Sequence, residues 1–148
     1  MKSNYKLVKA TKKDLTSTYS LLKQFNLPIE GIEKHLENFF VIKDGNLIIG
    51  VGGLEVYEEV GLLRSIAVNP KYQKQGLGRL IIEHLMDYAK RKRNINNLFL
   101  LTDTVPKLYE KFGFKYIKRN DVNPKITQSE EFKGSCPYTA DAMVKVLN

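Results

Sequence analysis

The segment from Gln73 to Arg79 carries residue types that can bind a phosphate group. It reads Gln73-Lys-Gln-Gly76-Leu-Gly78-Arg79, and a helical apolar pattern follows it. The first backbone N–H groups of a helix have no intrahelical acceptor and lie at the positive end of the helix dipole. The glycines Gly76 and Gly78 let a phosphate approach that backbone without meeting a Cβ atom. The sequence therefore predicts that the amides from about Lys74 onward hold a diphosphate.

The same glycines do not fit two common nucleotide-binding motifs. No Gly-Lys-Ser/Thr follows, which excludes a Walker A loop. The third glycine of the dinucleotide fingerprint is missing, as is its acidic residue about 20 positions further on. Two glycines alone also fit a plain loop-to-helix turn, so the phosphate interpretation depends on the elements around them.

Those elements alternate between strand and helix patterns. Thr11 and Asp14 resemble a capping box that opens the first helix, and Asp44-Gly45 predicts a hairpin with a type I′ turn. The predicted elements in chain order are a strand 5–9, a helix from 11 to about 25, a shorter helix 32–39, strands 39–43, 47–57 and 62–68, a helix from 76, a strand 97–102, a helix 106–112, and strands 114–118 and 142–147. Residues 120–138 show no regular pattern. The order β-α-α-β-β-β-α-β-α-β-β predicts a mixed α/β architecture in a single domain, residues 1–148.

Two motifs on these elements resemble the GCN5-related N-acetyltransferase (GNAT) superfamily. Its acetyl-coenzyme A signature, Arg/Gln-x-x-Gly-x-Gly/Ala after a Val-x-Pro strand end, is matched by Val68-Asn-Pro70 and Gln73-Lys-Gln-Gly76-Leu-Gly78. The run Leu108-Tyr109-Glu-Lys-Phe-Gly113-Phe114 is similar to the family's Tyr-x-x-x-Gly-Phe passage from helix to strand. The resemblance covers residues 5 to 118. It implies a mixed, mostly antiparallel central sheet flanked by helices, and acetyl-CoA as the acetyl donor.

The resemblance also implies how the coenzyme is held. The strand ending at Val68 would bond the pantetheine arm, and a splayed edge there would expose N–H groups to the oxyanion of a tetrahedral intermediate. Thr102 could bond the coenzyme arm or the substrate, or else cap the next helix. The predicted cofactor-binding residues are Ile66, Ala67, Val68, Gln73, Lys74, Gln75, Gly76, Leu77, Gly78, Arg79 and Thr102.

Two side chains are candidates for proton transfer. A phenol has a pKa of about 10, close above the 8.5 of a thiol, so Tyr109 could protonate the leaving thiolate. Alternatively, Tyr109 is a helix tyrosine packed on the core. Glu55 is the candidate base for the incoming amine, directly or through a water. Its alternatives are a solvated strand residue and an ion-pair partner of Arg64.

Arg64 and Ser65 form the candidate acceptor-binding pair. An arginine inside an apolar strand is costly unless paired, so Arg64 requires a carboxylate from Glu55 or from a substrate. The pattern Gly-Gly-Leu-Glu … Gly-Leu-Leu-Arg-Ser … Leu-Leu-Thr with Phe132-x-x-x-Cys136-Pro137 is similar to acetyltransferases of arsenic-resistance operons. Those in turn resemble the catalytic domain of amino-acid N-acetyltransferases, which implies a small carboxylated amine as acceptor. Cys136 itself is expected to be a small buried hydrophobe.

The composition excludes several other classes of protein. Apolar residues make up 43% and charged residues 27% of the 148, as in ordinary globular domains. No apolar run approaches the roughly 20 residues that span a bilayer, and no signal region opens the chain, so a cytoplasmic location is expected. One cysteine and two histidines provide neither an internal disulfide nor a metal cluster.

The net charge of +8 favours anionic partners without naming one. A nucleic-acid-binding module would require basic and aromatic residues on one exposed face, which the sequence lacks. A non-catalytic acyl-CoA sensor remains open, and so does pairing into a homodimer.

Overall fold

The computed structural model of the chain describes residues 5–102, 106–129, 132–133 and 140–147. The strands are β1 (Tyr5–Lys9), β2 (Phe39–Asp44), β3 (Leu47–Tyr57), β4 (Val60–Val68), β5 (Asn97–Thr102), β6 (Lys115–Ile117) and β7 (Asp141–Val146). The α-helices are α1 (Leu15–Gln24), α2 (Leu77–Arg91), α3 (Pro106–Glu110) and α4 (Pro124–Thr127). Short 3-10 helices cover Lys12–Asp14, Glu33–Asn38, Pro70–Tyr72 and Arg119–Asp121.

The described strands form one seven-stranded sheet in the order β1-β2-β3-β4-β5-β7-β6. Every neighbouring pair is antiparallel except β4 and β5, which run parallel. Helix α2 covers one face, where Ile81, Ile82 and Leu85 are fully buried. Alternate residues of the same strands face the opposite side, where α1, the Glu33–Asn38 helix and α4 pack. The predicted mixed, mostly antiparallel sheet flanked by helices is confirmed.

Three local details differ from the prediction. The second predicted helix is the 3-10 helix Glu33–Asn38, with non-helical backbone angles at His35. The segment predicted as irregular contains the short helix α4. In the β2–β3 hairpin only Gly45 has a positive φ, +63°, so the turn is not type I′, which requires two such residues. The predicted capping interaction is present, because the Asp14 carboxylate accepts a 2.8 Å hydrogen bond from the Thr11 N–H.

The sheet splits between β4 and β5. These strands pair at only four positions, from Val60 with Asn97 to Leu63 with Leu100. Beyond that point β4 continues alongside β3 as far as Val68, and β5 continues alongside β7 as far as Thr102. The split therefore opens toward the end of β4, where the chain turns into α2.

A bulge in β4 lies at the start of this split. Arg64 pairs with Gly53 and Ala67 pairs with Val51, so two residues of β4 lie opposite one residue of β3. One of the two, Ser65, has a φ of +64°, which bends the strand locally. The splayed edge that the sequence predicted is thus present at the described residues of β4.

Candidate functional site

The glycine-rich loop, residues 73–79, leads from β4 into α2 and exposes its backbone. Lys74 and Gly76 have left-handed φ angles of +67° and +81°, so the chain turns sharply twice. The side-chain amide of Gln73 donates a 3.0 Å hydrogen bond to the carbonyl of Val68, which fixes the loop against the strand end. Within the described residues, no acceptor bonds the backbone N–H groups from Lys74 to Arg79. These amides form a cluster of free donors at the positive end of α2.

The fold explains one glycine of the loop, Gly76, but not the other, Gly78. Gly76 needs its conformational freedom because of its positive φ, although a Cβ there would meet nothing within 4 Å. Gly78 has no such φ, and its added Cβ would meet only Val68 Cγ2, at 3.9 Å. The folded chain itself therefore has room for a side chain at position 78. A glycine there leaves open space beside the free amides, which an approaching ligand can use.

The predicted cofactor-binding residues border the split in the sheet. Ile66 and Val68 are half-buried and Ala67 is buried on the free edge of β4, while Thr102 is buried at the end of β5. Lys74, Gln75 and Arg79 are exposed on the loop and Leu77 is buried beneath it. Arg79 makes an exposed contact of 3.7 Å with Glu83. The structure thus places the eleven residues along the split and the loop that follows it, a region called the groove below, although their contact with a cofactor stays a prediction.

Tyr109 lies on α3, just beyond the end of β5. Its side chain is buried, and its ring packs edge to face against Phe114 with centroids 5.9 Å apart. It belongs to the same apolar cluster as Leu77 of α2 and Leu100 of β5. Tyr109 is therefore a packed core tyrosine, and its acid role stays a prediction.

Glu55 and Arg64 form a buried ion pair on the opposite face of the sheet from α2. Arg64 Nη1 lies 2.7 Å from Glu55 Oε2, and the two side chains are 0% and 1% exposed. The Tyr57 hydroxyl donates to Glu55 Oε1, and His35 Nε2 lies 3.5 Å from the same oxygen. The sequence had raised this ion pair as one alternative for both residues. Neither the base role of Glu55 nor a substrate role of Arg64 is tested by it, and both stay predictions.

The remaining donors of the Arg64 guanidinium reach the chain that follows α1. Nη1 also donates to the carbonyl of Glu30 at 2.6 Å, and Nη2 donates to the carbonyl of Pro28 at 3.0 Å. Nε donates to Ser65 Oγ at 3.0 Å. Every nitrogen of the guanidinium is thus engaged by the protein. A bidentate grip on a substrate carboxylate would require Arg64 to give up at least one of these bonds, because they use four of its five N–H groups.

A cavity of about 570 Å³ lies on the same side of the sheet as this ion pair. It is lined by Tyr19, Ile29, Gly31, Glu33 and Lys34. Tyr19 and Ile29 pack against the apolar cluster that contains Ala67 of β4. Its volume suits a small ligand. Sequence reasoning did not find this cavity, because its lining residues read as ordinary helix and turn positions.

Metal and membrane features are absent from the part of the chain that the structure describes. No group of three metal-ligating side chains occurs among residues 5–102, 106–129, 132–133 and 140–147. No helix in those ranges is both long and apolar enough to cross a bilayer. Cys136 lies outside the described residues.

The chain belongs to the GNAT acetyltransferase family, since residues 35–116 match the acetyltransferase (GNAT) domain model. An amino-acid acetyltransferase of Photorhabdus laumondii is 30% identical over 88 residues, which are 58% of this chain and 19% of the relative. The [ribosomal protein bS18]-alanine N-acetyltransferase of Escherichia coli K12 is 37% identical over 94 residues, 60% of this chain and 62% of the relative. The aligned parts thus span from about a fifth to three fifths of these relatives.

A solved structure shares the fold of this chain. The N-acetylglutamate synthase of Neisseria gonorrhoeae, crystallised with coenzyme A and N-acetyl-glutamate, superposes with a TM-score of 0.84. The match covers all of this chain and 36% of the synthase, at 19% sequence identity. At that identity the likeness establishes the fold.

Proposed function

We propose that this protein is an N-acetyltransferase that moves the acetyl group of acetyl-CoA to the primary amine of a small carboxylated molecule, such as an amino acid. One observation carries the proposal. The split between β4 and β5 runs directly into a loop whose amides are free and whose glycine at position 78 the fold does not require. A long, thin ligand with an anionic end fits such a groove, and a CoA thioester has this form.

The groove supports binding of the coenzyme in two parts. The diphosphate would accept hydrogen bonds from the amides of residues 74–79, with Lys74 and Arg79 adding positive charge. The pantetheine arm carries amide groups, which would pair with the free edge of β4 as another strand does. The Neisseria gonorrhoeae synthase, with the same fold, was crystallised with coenzyme A, and that observation supports the assignment.

The chemistry follows from this placement. The neutral amine attacks the thioester carbonyl, forming a C–N bond and a tetrahedral oxyanion, which N–H groups of the β4 edge would stabilise. Collapse of the intermediate breaks the C–S bond. Tyr109 would donate its proton to the departing sulfur, so that CoA leaves as a thiol, and the phenolate would regain a proton from solvent. The proton lost by the amine would pass through a water toward the carboxylate of Glu55.

The cavity on the α1 face is the proposed site for the acceptor. It lies on the side of the sheet opposite α2, and its lining residues Ile29 and Gly31 alternate with Pro28 and Glu30, whose carbonyls bond Arg64 of β4. An amine held there would approach the thioester from that side of β4. Amino-acid acetyltransferases are among the relatives, which supports a small carboxylated amine. The bS18-alanine N-acetyltransferase acts on a protein amine, so a peptide acceptor is the alternative.

A thiol-release assay with acetyl-CoA tests the proposal. The acceptor panel should contain amino acids, the corresponding amino-acid amides and alanine-initiated peptides. We expect turnover with free amino acids and at least tenfold lower kcat/KM with the amides, which lack the carboxylate. Tight CoA binding in calorimetry without turnover on any acceptor would instead identify a non-catalytic sensor. Turnover with peptides alone would contradict the small-molecule assignment.

A further inference from the structure

We propose that Arg64 is a positioning residue that shapes the acceptor cavity by holding the chain segment after α1. This segment, residues 25–32, is called the acceptor loop below. The proposal rests on the function proposed above and assigns Arg64 a role other than binding the substrate itself. The residue would act through the carbonyls of Pro28 and Glu30, both of which accept hydrogen bonds from its guanidinium.

The pattern of contacts along the acceptor loop supports this role. Pro28 and Glu30 turn their carbonyls inward to Arg64, at 3.0 and 2.6 Å. The residues between and after them, Ile29 and Gly31, line the cavity. The backbone thus alternates between positions that are anchored and positions that form the wall. Gly31 adopts a φ of +83°, so the loop follows a path that is demanding for the backbone.

The charge of Arg64 needs an explanation beyond packing. A buried ion pair loses the hydration of both ions, and apolar side chains of similar volume can replace such pairs without loss of stability. A carboxylate partner alone would leave the other guanidinium nitrogens without acceptors. Here those nitrogens bond two carbonyls and Ser65 Oγ, so the geometry matches a planar donor that joins several groups.

Arg64 also connects the acceptor loop to the groove for the coenzyme. It directly precedes Ser65, the residue of the bulge with a φ of +64°, and bonds its hydroxyl. The bulge lies where β4 leaves β5. A single side chain therefore fixes the wall of the cavity relative to the edge at which the thioester would react.

The variant Arg64→Lys separates this role from that of an ion-pair partner. Lysine retains a positive charge beside Glu55, but its single ammonium lacks the fork that reaches both carbonyls. We expect the KM for the acceptor to rise at least tenfold. The Kd for CoA should stay within twofold, because the glycine-rich loop is untouched. Amide hydrogen exchange in residues 25–32, measured without ligand, should accelerate at least tenfold.

Two further variants complete the test. Val60→Ala, a buried change in an apolar cluster other than that of the acceptor loop, is the control for general destabilisation and should not raise the acceptor KM. Ser65→Ala removes one acceptor of the guanidinium and should reproduce the effect of Arg64→Lys to a smaller degree if that variant does not fold.

The outcomes distinguish failure of the positioning role of Arg64 from failure of the proposed enzymatic function. An unchanged acceptor KM, or unchanged exchange in the acceptor loop, in Arg64→Lys would overturn the positioning role while wild-type turnover upholds the enzyme. Absence of turnover by the wild-type protein would overturn the proposed function itself, and the exchange rates would still report whether Arg64 holds the loop.

Discussion

The ammonium of Lys145 on β7 donates a 2.5 Å hydrogen bond to the carbonyl of Phe112, at the turn after α3. The same Nζ would lie 2.6 Å from a Cβ added to Gly113, whose φ is +94°. The glycine in the Tyr-x-x-x-Gly-Phe motif is therefore required for its backbone angle, and a side chain there would also have to displace the Lys145 ammonium. Lys145 and Gly113 together fix the turn that follows Tyr109.

This relationship predicts coupling between positions 113 and 145. Gly113→Ala should lower the free energy of unfolding by about 1–3 kcal/mol, the usual cost of a residue held in a disfavoured backbone conformation, with the steric clash in addition. In the background of Lys145→Ala the clash is gone and only the backbone cost remains. Urea denaturation of the four proteins should therefore give a coupling energy of at least about 0.5 kcal/mol. Strict additivity would show that Lys145 yields freely to the new side chain.

Gly78→Ala should weaken coenzyme binding without destabilising the fold. The added methyl group meets only Val68 in the folded chain, but it occupies the open space beside the free amides. We expect the Kd for CoA from calorimetry to rise at least tenfold, while the Tm stays within about 2 °C. Gly76→Ala is the comparison, because its φ of +81° should lower the Tm as well. Unchanged CoA affinity in Gly78→Ala would place the diphosphate elsewhere.

Tyr109→Phe should impair catalysis more than folding. Phenylalanine keeps the ring that packs against Phe114, so the apolar packing should be retained. If the phenol donates the proton to the leaving thiolate, kcat should fall by about 10²-fold with little change in the KM for acetyl-CoA. Tyr116→Phe, at an exposed tyrosine of β6, is the matched control. A decrease in kcat of less than tenfold would remove Tyr109 from the acid role.

The burial of the His84 ring predicts that the protein loses stability in mild acid. Its ring packs on Phe40 with centroids 4.5 Å apart, and its Nε2 is buried with no hydrogen-bond partner among the described residues. Burial lowers the pKa of His84, and the nearby Asp87 offsets this only in part. The unfolded chain therefore takes up the proton first as the pH falls. The free energy of unfolding should decline from about pH 6.5 downward, until the pH passes the folded pKa.

His84→Leu provides the measurement for this prediction. The variant removes the buried nitrogen and keeps an apolar side chain against Phe40. Between pH 7 and pH 5 its denaturation midpoint should change less than that of the wild-type protein, which shares its other histidine, His35. Equal pH dependence in the two proteins would contradict the assignment.

The elements that carry the coenzyme groove could be predicted because their signals are local. Val68-Asn-Pro70 ends a strand, and Gly76 and Gly78 open a helix, each within a few residues of sequence. A splayed edge on the strand that ends at Val68 was expected as well, and the structure has one, because the pairing of β4 with β5 stops at Leu63.

The acceptor side could not be predicted in the same way, because its contacts join distant parts of the chain. Arg64 donates to the carbonyls of Pro28 and Glu30, and a sequence does not indicate which backbone carbonyls accept a side-chain hydrogen bond. His35 and Tyr57 also reach Glu55, yet their spacing gives no reason to connect them. The sequence left open whether Arg64 pairs with Glu55 or with a substrate carboxylate. The structure shows that Glu55 and Arg64 are within ion-pair distance of each other.

The short pairing between β4 and β5 has a mechanical consequence. Within the sheet of described strands, four residue pairs connect strands β1 to β4 with strands β5 to β7. A ligand lying in the groove would contact both parts of the sheet along the length where β4 and β5 do not pair. Occupancy of the groove should thus stiffen the molecule as a whole.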